Sequence, residues 1–157
     1  MANILITYYS GTGQTEKLAQ AIAEGVKAEK GTPDLKKVED IDIKTLAKYD
    51  GIIIGSPVYF GSMAAEVKKM IDKSVAIRPK LEGKVGAAFV TSRHRTGGKE
   101  TTLLSILQAM LIHGMIVVGD PIESGGGHYG AAGADEIGER EAIALGKKVT
   151  KLADKMK

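Results

Sequence analysis

The sequence predicts an α/β fold, a three-layer sandwich in which a five-stranded parallel sheet carries helices on both faces. Three observations predict it. Apolar β-rich runs alternate along the chain with segments whose apolar residues recur at helical spacing. The runs are nearly continuous hydrophobics, as in Gly51-Ile52-Ile53-Ile54-Gly55, which marks strands buried on both faces. At 157 residues, without internal repeat or linker, the chain reads as a single domain, residues 1–157, able to bury a proper core.

Residues 3–9 form the first strand. From residue 14 to 30, Leu18, Ile22 and Val26 recur every four positions with Ala19 and Ala23 beside them, one apolar helix face ended by Gly31 and Pro33. Residues 34–39 are a short, charged strand suited to an edge, and 43–48 a brief helical turn. Residues 51–55 are the third strand, stopped at Ser56-Pro57. The chain then enters a helix carrying Val67, Met70 and Ile71. Residues 85–91 are the fourth strand, 100–113 a very apolar helix closed by Gly114, and 115–118 the fifth strand. A Gly-rich segment, 121–133, precedes a last helix over 135–156, with Leu145, Val149, Leu152 and Met156 in register and an acidic start and basic end that suit its dipole. Right-handed crossovers link such strands.

Composition narrows the function. The chain has no cysteine, so disulfides, thiolate metal sites and cysteine catalysis are excluded, and a reducing cytoplasm is expected. No apolar run is long enough to span a membrane, so no membrane insertion is expected. The net charge is +3, and the basic cluster Lys147, Lys148, Lys151, Lys155 and Lys157 complements the negative end of a helix. It is not the basic stripe with exposed aromatics that nucleic-acid binding needs.

In such a sheet, ligands bind beyond the carboxyl ends of the strands, beside the point where strand order reverses. The first strand leads into Ser10-Gly11-Thr12-Gly13-Gln14-Thr15, a Gly-rich turn opening a helix. Such a turn offers backbone N–H groups and hydroxyls to a phosphate, though it also reads as an ordinary strand-to-helix turn. It is not a P-loop: Tyr8 stands where the first Gly belongs and Gln14 where the Lys belongs. Nor is it the dinucleotide fingerprint, whose third Gly is replaced by Glu16. Without Lys or Arg, the turn suits a phosphate that is held and not transferred.

The third strand leads to Pro57, Val58, Tyr59, Phe60 and Gly61, two adjacent aromatics in a chain with five Tyr, two Phe and no Trp. They point to a flat ring nearby, unless one of them plugs the core beneath the loop. The fourth strand leads to Thr91, Ser92, Arg93, His94, Gly97 and Gly98, a set of donors for a polar ring edge. A phosphate site beside flat, polar-edged surfaces suits FMN in a sheet of order 2-1-3-4-5.

Several blocks carry a family resemblance: Tyr8-Tyr9-Ser10, Gly55-Ser56-Pro57, Phe60-Gly61-Ser62-Met63-Ala64-Ala65, Gly97-Gly98-Lys99-Glu100-Thr101-Thr102 and His113-Gly114-Met115. The chain resembles flavodoxin-like proteins of the NAD(P)H:quinone oxidoreductase branch, also called tryptophan-repressor-binding proteins, over nearly its whole length. The resemblance implies a flavodoxin-like fold and FMN as cofactor. Ser10, Thr12, Gly13, Gln14 and Thr15 would hold the phosphate, and residues 57–61 and 91–98 would line the isoalloxazine. His113 would be a catalytic residue near the exposed flavin face. A backbone group at Gly61 or its neighbours would steady a one-electron state.

Three departures stand out. No Trp is present, and the matching region offers Val75 and Ile77. The chain is shorter than usual for the family. His128 precedes Tyr129-Gly130 in the block 125–130.

Two functions remain open: an NAD(P)H-dependent oxidoreductase acting on a quinone-type acceptor, and a flavodoxin carrying electrons to a redox-protein partner. His113 also suits a helix end, and His94 and His128 sit on site loops. No short ligand spacing supports a metal site. Asp72, Glu100 and Asp120 show no paired-carboxylate arrangement. The apolar run 103–107 is read as core, or in part as an interface of a homo-oligomer.

Overall fold

In the computed structural model, which describes residues 1–125 and 128–157, the chain runs β1 (Asn3–Tyr8), α1 (Gln14–Ala28), β2 (Thr32–Lys37), β3 (Gly51–Tyr59), β4 (Ser62–Met63), α2 (Ala65–Lys73), β5 (Val85–Thr91), α3 (Lys99–Ile112), β6 (Ile116–Val117), β7 (Ala131–Ala132) and α4 (Glu136–Lys155). The sheet order is β2-β1-β3-β5-β6, all parallel, which is the expected five-strand order. Two further short strands join it. β4 returns antiparallel to β3, and β7 lies parallel to the far end of β5.

Alternate residues of each strand feed opposite layers. Ile4 and Ile6 pack with Leu18, Ile22, Leu145 and Val149 beneath α1 and α4. Leu5 packs with Ile52, Ile54, Val67 and Ile106 beneath α2 and α3. Leu103, Ile106 and Leu107 are buried there, so the apolar run of α3 is mostly core, with only Leu104 reaching the surface. The two helices of the first layer cross closely: a Cβ at Gly146 would stand 2.3 Å from the Ile22 carbonyl oxygen.

β2 starts two residues before the expected 34–39 and takes in Pro33 opposite Ile4, and two further elements differ from expectation. β3 does not stop at Gly55 but runs on to Tyr59. Its β1 neighbour ends with Tyr8 opposite Gly55, so Pro57 occupies a stretch with no ladder on that side, where proline is tolerated. The chain then reverses through Phe60 and Gly61, both at positive φ (49° and 76°), and Tyr59 pairs with Ser62. Two consecutive left-handed residues make the hairpin turn whose twist matches the strands. Phe-Gly is not the usual sequence for it, so the hairpin was not legible.

The fifth lane of the sheet is shared. β6 pairs only with Val85 and Gly86, the chain departs at Val118, and β7 fills the same side beside Phe89 and Val90. Among the described residues, no helix is long and apolar enough to cross a membrane.

Candidate functional site

The loops leaving β1, β3 and β5 meet. A Cβ on Gly11 would stand 2.7 Å from the Tyr59 hydroxyl, so the turn passes close beside the tip of that side chain. The Tyr59 ring meets Tyr9 edge-on at 6.4 Å. Thr15 of α1 and Thr91 of β5 join buried hydroxyls at 2.7 Å, fixing the first turn to the end of a strand two lanes away. On the other side, a Cβ on Gly98 would lie 2.8 Å from Gly61 Cα. The Thr101 hydroxyl reaches the carbonyl oxygens of Gly61 (3.2 Å) and Gly98 (3.0 Å). Ser56 holds the base of the hairpin, donating to the Pro57 carbonyl oxygen and accepting from Ala64 N–H at the start of α2.

Within the turn, Ser10 Oγ accepts from the N–H groups of Gly13 (3.1 Å) and Glu16 (3.3 Å). Gly13 caps α1 at φ 91° and lends no side chain to the helix start. The N–H groups of Gln14 and Thr15 make no bond within the described residues. With the positive helix end behind them, these groups form an anion cradle. The space a Cβ would take at Gly13 is open. Behind the turn, Tyr8 donates to Glu16 at 3.0 Å, and burial together with that carboxylate pushes its phenol up to about 12.

Tyr59 is half-exposed and Phe60 fully exposed, so neither plugs the core. Phe60 is a bulky side chain held at positive φ, a conformation that costs of order 1–3 kcal/mol. In the third loop, Ser92 Oγ donates to the His94 carbonyl oxygen, which also receives Gly97 N–H at 3.1 Å. His94 Nδ1 accepts from Thr96 N–H at 3.3 Å and meets the Thr96 hydroxyl at 2.9 Å. Nδ1 is thus an acceptor, and Nε2 carries the donor proton.

His113 is not brought to these loops within the chain. α3 starts at the site and runs back along the sheet for 14 residues, about 21 Å, so its end lies beside the start of β5. There Gly114 accepts from Gly83 N–H at 2.9 Å. His113 Nε2 meets the Ser74 hydroxyl and Nδ1 the Ala109 carbonyl oxygen, each at 2.6 Å. The block 125–130 is partly outside the described residues, at Gly126 and Gly127. The three histidines do not gather; His128 instead meets two carboxylates.

Those carboxylates correct the reading that Asp120 has no acidic partner. Asp120, in the segment after β6, faces Glu141 of α4, and they are only 2% and 7% exposed. Burial, and then the neighbouring Asp120, push Glu141 up to about 7, against a hydrogen bond from the Ala132 backbone. Asp120 accepts from His128 N–H at 2.9 Å and Ser124 Oγ at 3.4 Å. One signal could have found Glu141. It stands four residues before Leu145, in the apolar register of its helix. Thr101, also missed as a site residue, carried only its place in a family-like block.

A flavodoxin domain family matches residues 5–111. The chain is 36% identical to an NAD(P)H dehydrogenase (quinone) of Archaeoglobus fulgidus, covering 99% of this chain and 100% of that one. It is 38% identical to a protein of the same description from Chromohalobacter salexigens, covering 86% of each. Among solved structures, a flavodoxin, WrbA-like protein from Agrobacterium tumefaciens superposes with a TM-score of 0.81 at 28% identity, over 100% of both chains.

Proposed function

The chain belongs to the flavodoxin domain family, and from that membership we propose that it is an FMN-dependent oxidoreductase passing electrons from NAD(P)H to a quinone-type acceptor. The observation that carries the reading is the convergence of the three loops on one surface, with an anion cradle at one end and exposed aromatics beside it. Relatives spanning the chain bear the corresponding description. The 157 residues act as one FMN-binding domain, and the cysteine-free chain fits the cytoplasm.

The residues present fit the cofactor. The cradle is made of N–H groups and hydroxyls, with open space at Gly13 and no cation, as suits a phosphate ester that is only anchored. Ser10 and Thr12 would offer that phosphate their hydroxyls, Gly13 a close approach, and Gln14 and Thr15 their N–H groups, the Thr15 hydroxyl being buried against Thr91. Pro57, Val58, Tyr59, Phe60 and Gly61 offer one wall to the ring system, and residues 91–98 offer donors to its polar edge, among them the Nε2 proton of His94. Bound flavin supplies the capacity to accept a hydride and to release electrons singly or in pairs. The protein contributes position and polarity: Thr15–Thr91 and Thr101–Gly61 tie the three loops together, so the walls are set before the ring arrives.

Purified protein mixed with FMN should turn yellow and bind it at micromolar concentration; a folded protein that does not would falsify the reading. In stopped flow, NADH or NADPH should bleach the bound flavin quickly. A second reading, electron carriage between proteins, is favoured by the fully exposed Phe60 at the site rim and by the missing Trp. Absence of bleaching, with a long-lived one-electron state on dithionite titration, would select it.

A further inference from the structure

Outside the flavin-facing surface, the strongest concentration of ligating chemistry is where Asp120, His128 and Glu141 meet. One carboxylate oxygen from each acid and a ring nitrogen of His128 lie within 4.8 Å of one another. The acids come from different elements, the segment after β6 and the second turn of α4, and are brought together only by the fold. Both are buried while the imidazole is exposed. Among the described residues, no hydrogen bond engages the His128 ring, so its nitrogens are available to a ligand. A cavity of about 480 Å³, lined by Arg95, Lys99, Tyr129, His128 and Glu141, opens over the cluster. It provides an entry path and room for water or a further ligand.

Two carboxyl groups buried against each other repel unless a positive charge or a proton stands between them. A divalent ion meets both at once, and a third ligand already stands at the mouth. Two carboxylates and an imidazole with open positions suit borderline first-row ions such as Mn²⁺, Fe²⁺ and Zn²⁺. Metal–ligand distances near 2.0–2.2 Å put ligand atoms about 3.4 Å apart, so the 4.8 Å cluster has at most about 1.5 Å to close. The exposed His128 side chain can supply that by rotation.

We propose that Asp120, His128 and Glu141 form a divalent-cation site whose open coordination positions face the cavity. The ion ties Asp120 and His128 to Glu141 of α4 and so shapes the wall of the cavity beside the flavin-edge loop 91–98. The site does not depend on FMN.

The test is calorimetric titration of the chelator-treated full chain with Mn²⁺ and Zn²⁺, with and without FMN, alongside thermal melts. One ion should bind per chain in both conditions and raise the melting temperature. Loss of an outer-shell partner alone weakens metal sites 10–100-fold, so Glu141→Gln and His128→Ala should each weaken binding by at least about tenfold. Circular dichroism checks that both variants fold; His128 lies on an exposed loop and its removal leaves the buried pair in place. Binding of equal strength in wild type and both variants would assign the ion to other surface groups and overturn the proposal. So would wild type showing neither heat nor a melting shift with either ion.

Discussion

The hydroxyl of Thr101 donates to the carbonyl oxygen of Gly61 across 3.2 Å, tying the first turn of α3 to the tip of the β3–β4 hairpin. The same hydroxyl reaches Gly98, so one side chain spans two walls of the site. A hydrogen bond of this kind contributes about 1 kcal/mol. In Thr101→Val the Gly61 carbonyl is released to turn toward a reduced flavin, so the first-electron midpoint potential of bound FMN should become more positive while thermal stability falls only slightly. Potentials identical to wild type would show that the hairpin tip does not address the ring.

Ser10 should matter to the phosphate and not to the ring. Its hydroxyl accepts from the N–H groups of Gly13 and Glu16, which flank the free N–H groups of Gln14 and Thr15. Losing a helix-start oxygen costs about 1 kcal/mol. Ser10→Ala should therefore weaken FMN binding by about fivefold and leave riboflavin, which lacks the phosphate, nearly unaffected. Fluorescence quenching titrations of both ligands measure the contrast, and equal losses would place the phosphate elsewhere.

The Thr15–Thr91 contact is a buried hydroxyl pair, so single substitutions strand a polar group. Thr15→Val and Thr91→Val should each destabilise by about 1–3 kcal/mol in urea unfolding, and the double variant by clearly less than their sum. Additive losses would mean that the hydroxyls do not interact.

Asp50 sets an acid limit. Burial alone would raise its carboxyl, but the Asn3 N–H at 2.7 Å and the Lys157 ammonium at 2.9 Å outweigh burial and hold it below its ordinary 3.8. A carboxyl depressed on folding contributes stability that is complete above its unfolded value and lost as pH falls through the folded one. Wild type should exceed Asp50→Asn in stability at neutral pH. The gap should close as the pH falls below 3.8 in thermal melts. A gap independent of pH would remove the carboxylate from the account.

Much of the site was legible because chemistry and local pattern coincide. A Gly-rich turn after a buried strand announces a helix N-terminus, and such an end suits an anion by its local backbone geometry. Neighbouring aromatics on a loop between Pro57 and Gly61 announced a surface. What stayed illegible depends on contacts across long separations. The hairpin at Phe60-Gly61 hides behind an unusual turn sequence, and the Asp120–Glu141 pair joins residues whose local surroundings say nothing of each other.

The placement of His113 shows the same division. Local sequence determined that α3 is a helix ending at Gly114. Helical rise then decides that a residue near its end lies far from its start, and only the antiparallel packing of α3 on β5 says which end meets the loops leaving β1, β3 and β5. By itself, the sequence determined the alternation of strands and helices, the strand order to expect and the Gly-rich turn that opens α1, because hydrophobic periodicity and turn chemistry are local. Tertiary structure alone decided which side chains share the site: Tyr59 over Gly11, Thr101 on Gly61, and Glu141 against Asp120. Such meetings are set by packing of surfaces from distant segments, which no window of sequence contains.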